Sequence, residues 1–239
     1  MTPPLSNLDQ QALLAEGQSV VAAQGDDLVA QAGAVLRWAY EKFGKELVVA
    51  SSMGDEVLVY LAEQEIPGAQ LIFIDTNYHF SETLALRDQV IAEGKLTVKT
   101  VLPLLTIKEQ ATQHGEDLWF SNPDACCAIR KVEPLERTLK DYSAWVTGLR
   151  RVDAPTRKDI DIITWDSKRE KLKLNPLAAW SDEFLQKFTN EHPVKVNALR
   201  AKSFTSIGCE PCTRPTALGE DPRAGRWSGT SKIECGLHT

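Results

Sequence analysis

The sequence predicts an α/β protein: a parallel twisted sheet with helices on both faces, then a loop-rich C-terminal segment and a flexible tail. Two patterns carry that expectation. Short apolar runs of strand length alternate with stretches whose apolar residues recur near a period of 3.6, and such alternation implies a parallel sheet covered on both sides. From about Asn175 the alternation stops, and after Pro193 the chain is rich in Gly, Pro, Thr and Arg. The bulk properties agree. A chain of 239 residues, 43% hydrophobic and 25% charged, is long enough for one large core. That composition excludes a collagen-like, mucin-like or largely disordered chain.

The elements come in this order. Leu8 to Phe43 reads as two helices, on Leu13, Leu14, Val20 and Val21 and then Leu28, Val29, Ala32, Leu36 and Tyr40. Gly25-Asp26-Asp27 separates them and offers an N-cap, and Gly44 suits the C′ position of the second. Leu47–Ser51 is a buried strand, Asp55–Glu65 a helix stopped before Pro67, and Gln70–Asp75 a second buried strand. Phe80–Ala92 is a helix ended by Gly94, and Leu96–Leu102 a third strand. Helices are expected at Ile107–His114 and Cys127–Leu139, a fourth strand at Ala144–Leu149, and two more at Ile160–Trp165 and Lys171–Leu174. Asn175-Pro176-Leu177 then leads to a helix at Asp182–Thr189.

Charge and hydropathy narrow the function. Lys and Arg number 27 against 33 Asp and Glu, a net charge of −6, which argues against a nucleic-acid partner while leaving room for a local basic pocket. No apolar run approaches the roughly 20 residues of a membrane span, so no membrane partner is expected. The N-terminus, Met1-Thr-Pro-Pro-Leu-Ser6, lacks the charged and apolar regions of a secretory signal. A cytoplasmic location is therefore expected.

Ligands of such sheets bind at the carboxyl ends of the strands, so the loops there come first. The first strand runs into Ser51-Ser52-Met53-Gly54-Asp55-Glu56. Small hydroxyl residues and a Gly at a helix N-terminus suit a phosphate, although Ser and Asp are equally ordinary N-caps and the Lys of a Walker A loop is missing. The second strand runs into Asp75-Thr76-Asn77-Tyr78-His79-Phe80, where His79 reads as a structural hydrogen-bonder. The fourth ends in Thr147-Gly148-Leu149-Arg150-Arg151, an anion clamp or a solvated charge pair.

Five cysteines in a chain without an export signal suggest metal or redox chemistry rather than a disulfide framework. Cys126 and Cys127 are adjacent and would close a strained ring if paired. Cys209-Glu-Pro-Cys212 is a C-x-x-C, a spacing that brings two thiolates to one metal. Together they make a four-Cys set for zinc or a 4Fe–4S cluster. The vicinal pair is unlike a zinc knuckle, and Lys131, one turn beyond Cys127, suits an anionic cluster. The C-x-x-C also resembles a thioredoxin turn, but it lies near the C-terminus of a longer chain. Cys235 stands apart on a tail with Gly225, Gly229 and Gly236. A thiol on such a tail, with Arg223, Arg226 and His238 close in sequence, is a candidate nucleophile.

Taken together, Cys126-Cys127, Cys209-x-x-Cys212 and the terminal Glu234-Cys235-Gly236-Leu237-His238 resemble the assimilatory adenylylsulfate (APS) reductases, the cluster-containing branch of the phosphoadenylylsulfate (PAPS) reductase family. Further matches are Asp75-Thr76 with Tyr78-His79-Phe80-x-Glu82-Thr83, Thr147-Gly148-Leu149-Arg150-Arg151, Asn175-Pro176-Leu177, Ser206-Ile207-Gly208-Cys209 and Arg223-Ala224-Gly225-Arg226-Trp227. The resemblance implies an adenine-nucleotide α-hydrolase-like fold. It implies that Cys126, Cys127, Cys209 and Cys212 hold a 4Fe–4S cluster. It also implies that Cys235 attacks the sulfur of APS, so that AMP leaves and thioredoxin or a similar dithiol releases sulfite from the Cys235 thiosulfonate.

On the same ground Ser52 and Gly54 match the nucleotide loop, and Asp75 and Thr76 line the adenosine pocket. Lys131 stands between cluster and sulfate, Arg223 and Arg226 hold the phosphosulfate with His238 nearby, and Arg151 closes over the nucleotide. The tail is expected to dock for attack and undock to meet the reductant. Three parts are implied: a helical segment over 1–45, a nucleotide-binding α/β domain with the iron–sulfur site over 46–215, and an Arg-containing loop with the catalytic tail over 216–239. Asn77 replaces the usual Gly, Ala50 a usual Ser, and Lys202-Ser203-Phe204-Thr205 a usual Gly-Tyr-Pro. No thioredoxin-like segment is present, so the reductant is expected to be external. The alternatives are reduction of PAPS or of both nucleotides, an ATP-dependent ligase or thiolation enzyme, and a zinc-binding module. A homo-oligomer stays open.

Overall fold

The structure is a computed structural model that describes residues 6–54, 56–230 and 232–237. The chain opens with the expected helix pair, α1 (Asn7–Ala22) and α2 (Leu28–Phe43). Asp27 caps α2 by accepting from the N–H groups of Val29 and Ala30, two donors that a helix start leaves unpaired. Then come β1 (Leu47–Ala50), α3 (Glu56–Glu65), β2 (Gln70–Ile74), α4 (Ser81–Glu93), β3 (Thr97–Val101), α5 (Ile107–His114), α6 (Leu118–Ser121), α7 (Pro123–Cys127), α8 (Glu133–Leu139), β4 (Ala144–Thr147), β5 (Ile163–Asp166), β6 (Lys171–Leu174) and α9 (Asp182–Glu191).

The six strands form one sheet in the order β3-β2-β1-β4-β6-β5. It is parallel except at one edge, where β5 pairs antiparallel with β6. The expected parallel sheet thus carries one antiparallel edge strand. Only Ser167 to Glu170 separate the two strands, too few for a crossover, so they must turn back as a hairpin. Alternate residues of β1 enter opposite layers. Leu47 and Val49 join α1–α4 and α9 on one face, and Val48 joins Ile72, Trp145 and the Leu135 and Leu139 of α8 on the other. Each fully buried Leu or Val contributes about 1.5–3 kcal/mol, so two dry faces fix the strand register.

The expected helix over Cys127–Leu139 is a composite. It starts earlier, at Pro123, and passes through a π-helical turn at Ala128–Val132 before α8. Such turns widen a helix by one residue and re-aim the side chains beyond them. The order of strands reverses between β1 and β4, where Ala50 lies beside Thr147. A crevice at the carboxyl ends of those two strands is the ligand position of an open α/β sheet. No described helix is long and apolar enough to cross a membrane.

Candidate active site

A cavity of about 810 Å³ opens at that reversal point. Its walls include Ala50–Ser52 and Gly54 at the end of β1, Ile74, Thr76 and His79 at the end of β2, Thr147–Arg150 at the end of β4, Phe204–Gly208, and the tail at Cys235 and Leu237. Six cations, Lys131, Arg150, Arg157, Arg200, Arg223 and Arg226, line it against three acids, Glu56, Asp153 and Asp182. An acidic chain therefore encloses a basic cleft, which suits a small polyanion.

The loop after β1 is built tightly. Ser51 accepts at 3.0 Å from the N–H of Met53, which adopts φ +57°. Arg200 reaches across to it, donating to the Gly54 carbonyl at 2.7 Å and to both carboxylate oxygens of Glu56 at 3.2 Å. The replacements at 202–205 are accommodated: Lys202 donates to Glu82 at 2.6 Å and Phe204 meets Phe80 edge-on. After β2, Asn77 takes φ +59°, a conformation that Asn tolerates in place of Gly. His79 bonds the Ile74 carbonyl through Nε2 at 3.0 Å and lies against Phe73, and burial holds its pKa down.

Two expected pocket residues are held elsewhere. Asp75 accepts from the Asn77 N–H at 2.9 Å and pairs with Arg87 at 3.2 Å, so its carboxylate shapes the turn and does not line the cavity. Arg151 donates to the Ile160 carbonyl at 2.8 Å and leans toward Asp161; its neighbour Arg150 lines the cavity instead. Ser52, Gly54, Thr76, Lys131, Arg223, Arg226 and Cys235 do line it. His238 lies outside the described residues.

The cysteines converge beneath one side of the cleft. Asn122 caps α7 by accepting from the Ala125 N–H at 3.1 Å, which orients Cys126 and Cys127. The opposing loop is tied in through the Glu210 N–H to the Tyr78 carbonyl at 2.7 Å, and Thr76 Oγ1 lies 3.3 Å from Cys209 Sγ. Burial first, and then the neighbouring thiols, push Cys126 up to about 11 and Cys212 up to about 12. Cys127 also rises with burial. Burial would lower Lys131, but Cys209, Cys235 and Cys127 around it raise it above the ordinary lysine range. Among the described residues no group of three or more His, Cys, Asp or Glu side chains is arranged to hold a metal ion. A set of four thiols in one neighbourhood, without His or carboxylate among them, fits a larger thiophilic group.

The arginine wall explains a glycine. A Cβ on Gly208 would fall 2.3 Å from the Arg226 guanidinium, so only Gly lets that side chain lie where it does. Arg226 donates to Ser206 Oγ and the Ile207 carbonyl, both at 3.3 Å, and stacks on Trp227. Its Nε is buried without a partner among the described residues. Sequence reasoning missed Arg157 and Arg200 altogether. The only local signal for Arg157 was a third arginine in the loop of Arg150 and Arg151.

Residues 46–215 match the phosphoadenosine phosphosulfate reductase domain. The chain is 48% identical over 204 residues to the adenosine 5'-phosphosulfate reductase of Streptomyces coelicolor, covering 85% of this chain and 86% of that one. It is 49% identical over 209 residues to the enzyme of that name from Mycobacteroides abscessus, covering 87% and 88%. Among solved structures it resembles the phosphoadenylyl-sulfate reductase of Candida auris, with a TM-score of 0.70 and 27% identity over 90% of this chain and 100% of that one. An FMN adenylyltransferase of Candida glabrata shares the fold at 17% identity and a TM-score of 0.60, over 88% and 74%.

Proposed function

Because the chain belongs to the phosphoadenosine phosphosulfate reductase family, we propose that it reduces adenosine 5'-phosphosulfate to sulfite and AMP in sulfate assimilation, with Cys235 as nucleophile and thioredoxin or a similar dithiol as reductant. The observation that carries this reading is one cavity lined by the loops after β1 and β4, by Lys131, Arg223 and Arg226, and by Cys235. The adenosine fits the crevice beside Ser52, Gly54 and Thr76, with the phosphosulfate toward the cations. Fixed positive charge there offsets the repulsion between an anionic substrate and a thiolate.

In the first step Cys235 Sγ bonds to the sulfate sulfur, the bond from that sulfur to the phosphate oxygen breaks, and AMP leaves with the electron pair. In the second, a thiolate of the dithiol attacks Cys235 Sγ, sulfite departs with the S–S bonding pair, and the partner thiol closes the disulfide while freeing Cys235. The dithiol supplies both electrons. Cys126, Cys127, Cys209 and Cys212 are the residues that would hold a 4Fe–4S cluster. When bound, that cluster supplies a fixed sulfur-rich charge beside Lys131. Lys131 itself would orient the sulfate, and Thr76 would bond the Cys209 sulfur.

APS is favoured over PAPS because the relatives near 48% identity are named for APS, whereas the structural relative named for PAPS stands at 27%. Anaerobic purification with iron and sulfide analysis, followed by kcat/KM for both nucleotides with thioredoxin, tests the reading. Equal or higher kcat/KM for PAPS overturns the substrate, and a colourless zinc protein overturns the cluster. Cys235→Ser is expected to abolish sulfite release while iron content and AMP binding are retained; turnover in that variant removes Cys235 from the chemistry.

A further inference from the structure

The segment 232–237 has no regular structure of its own, yet it is fastened along its length. Lys232 pairs with Asp124 and lies over Trp227. The Ile233 carbonyl accepts from Arg223 Nη2 at 2.9 Å, and the Leu237 carbonyl from Arg169 Nη2 at 3.1 Å. Leu237 packs on the apolar layer of Ile72 and Trp145. The strongest tie is at Glu234, immediately before Cys235. Its carboxylate accepts from Arg157 Nε and Nη2, both at 2.8 Å, and from Thr156 Oγ1 at 3.1 Å. Both partners are largely sheltered, at 12% and 14% exposure. A planar guanidinium gripping a carboxylate through two parallel bonds fixes direction as well as distance.

We infer that Arg157 and Glu234 are positioning residues that latch the tail and set Cys235 in the cavity wall for the bond-forming step. This rests on the proposed role of Cys235. The division of labour among the arginines is set by the distances. Arg223 touches the same carboxylate only at 3.4 Å and holds the tail through the Ile233 carbonyl, so the two-bond grip on Glu234 belongs to Arg157. Arg157 is itself steadied by Asp153 at 3.4 Å, which also pairs with Arg150 at 2.7 Å. The loop after β4 thus controls where the tail lies through a residue that belongs to the tail dock rather than to the substrate clamp. When the latch opens, the same thiol swings clear of the cavity, as a reductant too large for the cleft requires.

Two variants of opposite charge effect separate docking from the local field. Glu234→Gln makes the surroundings of Cys235 more positive and Arg157→Met makes them less so. A latch predicts that both raise the rate at which iodoacetamide alkylates Cys235 in the ligand-free holoprotein, by roughly tenfold or more for loss of a sheltered charge-assisted pair. Peptide mass spectrometry reads the site. In single-turnover reaction with adenosine 5'-phosphosulfate, both variants should form the Cys235 adduct roughly 10- to 100-fold more slowly at saturation, with half-saturation little changed. Unchanged alkylation in both variants, or alkylation moving in opposite directions, overturns the latch. A loss confined to half-saturation assigns Arg157 to the substrate clamp and also overturns it. If wild-type protein forms no adduct, the functional reading fails, and alkylation alone still decides whether the latch exists.

Discussion

At the scale of single residues, the arginine wall depends on what is missing opposite it. Arg226 lies where a Cβ at position 208 would stand, and its buried Nε has no partner among the described residues. A buried unpaired donor is destabilising by about 1–3 kcal/mol, a cost that goes with the close approach of Arg226 to Gly208. Gly208→Ala is therefore expected to displace Arg226 and weaken AMP and APS binding about tenfold or more, the range for a bond to a charged group. Calorimetry on Gly208→Ala, Arg226→Ala and the double variant checks this. In the Arg226→Ala background the alanine at 208 should have little further effect; full additivity would show that Gly208 acts elsewhere. Such a dependence was invisible in sequence, where Gly208 reads only as part of a loop.

At the scale of elements, α7 and the π-helical turn after it decide how Cys126, Cys127 and Lys131 point. The vicinal cysteines and the lysine were legible as a set because their spacing is local. The path between them was not, since the periodicity suggests one regular helix from Cys127 and an i→i+5 turn leaves no signature in apolar spacing. Asn122 begins this unit by capping the Ala125 N–H. Asn122→Ala should lower stability by about 1 kcal/mol and reduce the iron retained after anaerobic gel filtration. Full iron retention with the same stability loss would confine the cap to folding. At the β5–β6 hairpin the sequence left the direction of pairing unread. Both strands were visible as apolar runs, but pairing direction is set by the short connection and not by composition.

At the scale of the whole molecule, the sheet carries a buried titrating group against Trp145, a residue of the cavity wall. Lys173 of β6 is buried, with its ammonium 4.9 Å from the Trp145 ring. Burial holds its pKa down to about 8 from 10.5. Below pH 8 the folded chain must keep a buried ammonium, a cost on the order of 3 kcal/mol. The cost shrinks as pH rises from 8 and is gone above 10.5. Lys173→Met should then be more stable than wild type by about 1–3 kcal/mol at pH 7, allowing for the lost ring contact. That margin should close toward pH 10. Thermal unfolding at the two pH values checks it; a margin independent of pH would mean that packing, not charge burial, is responsible.

What the sequence determined alone was local: the alternation that makes strands and helices, the caps at Asp27 and Gly44, the tolerance of Asn77 for a left-handed turn, and the two short cysteine motifs, Cys126-Cys127 and Cys209-x-x-Cys212. These depend on neighbours within a few residues, where periodicity and spacing carry the physics. What only the tertiary structure decided was which charges meet. Asp75 turned away to Arg87, and Arg151 gave its place in the cavity wall to Arg150. Arg157 joined Glu234 across 77 positions of chain, because the reversal of strand order between β1 and β4 folds both loops and the tail over one crevice. Long-range ion pairs have no period to read in a sequence, and they exist only once the sheet has set the distance between their ends.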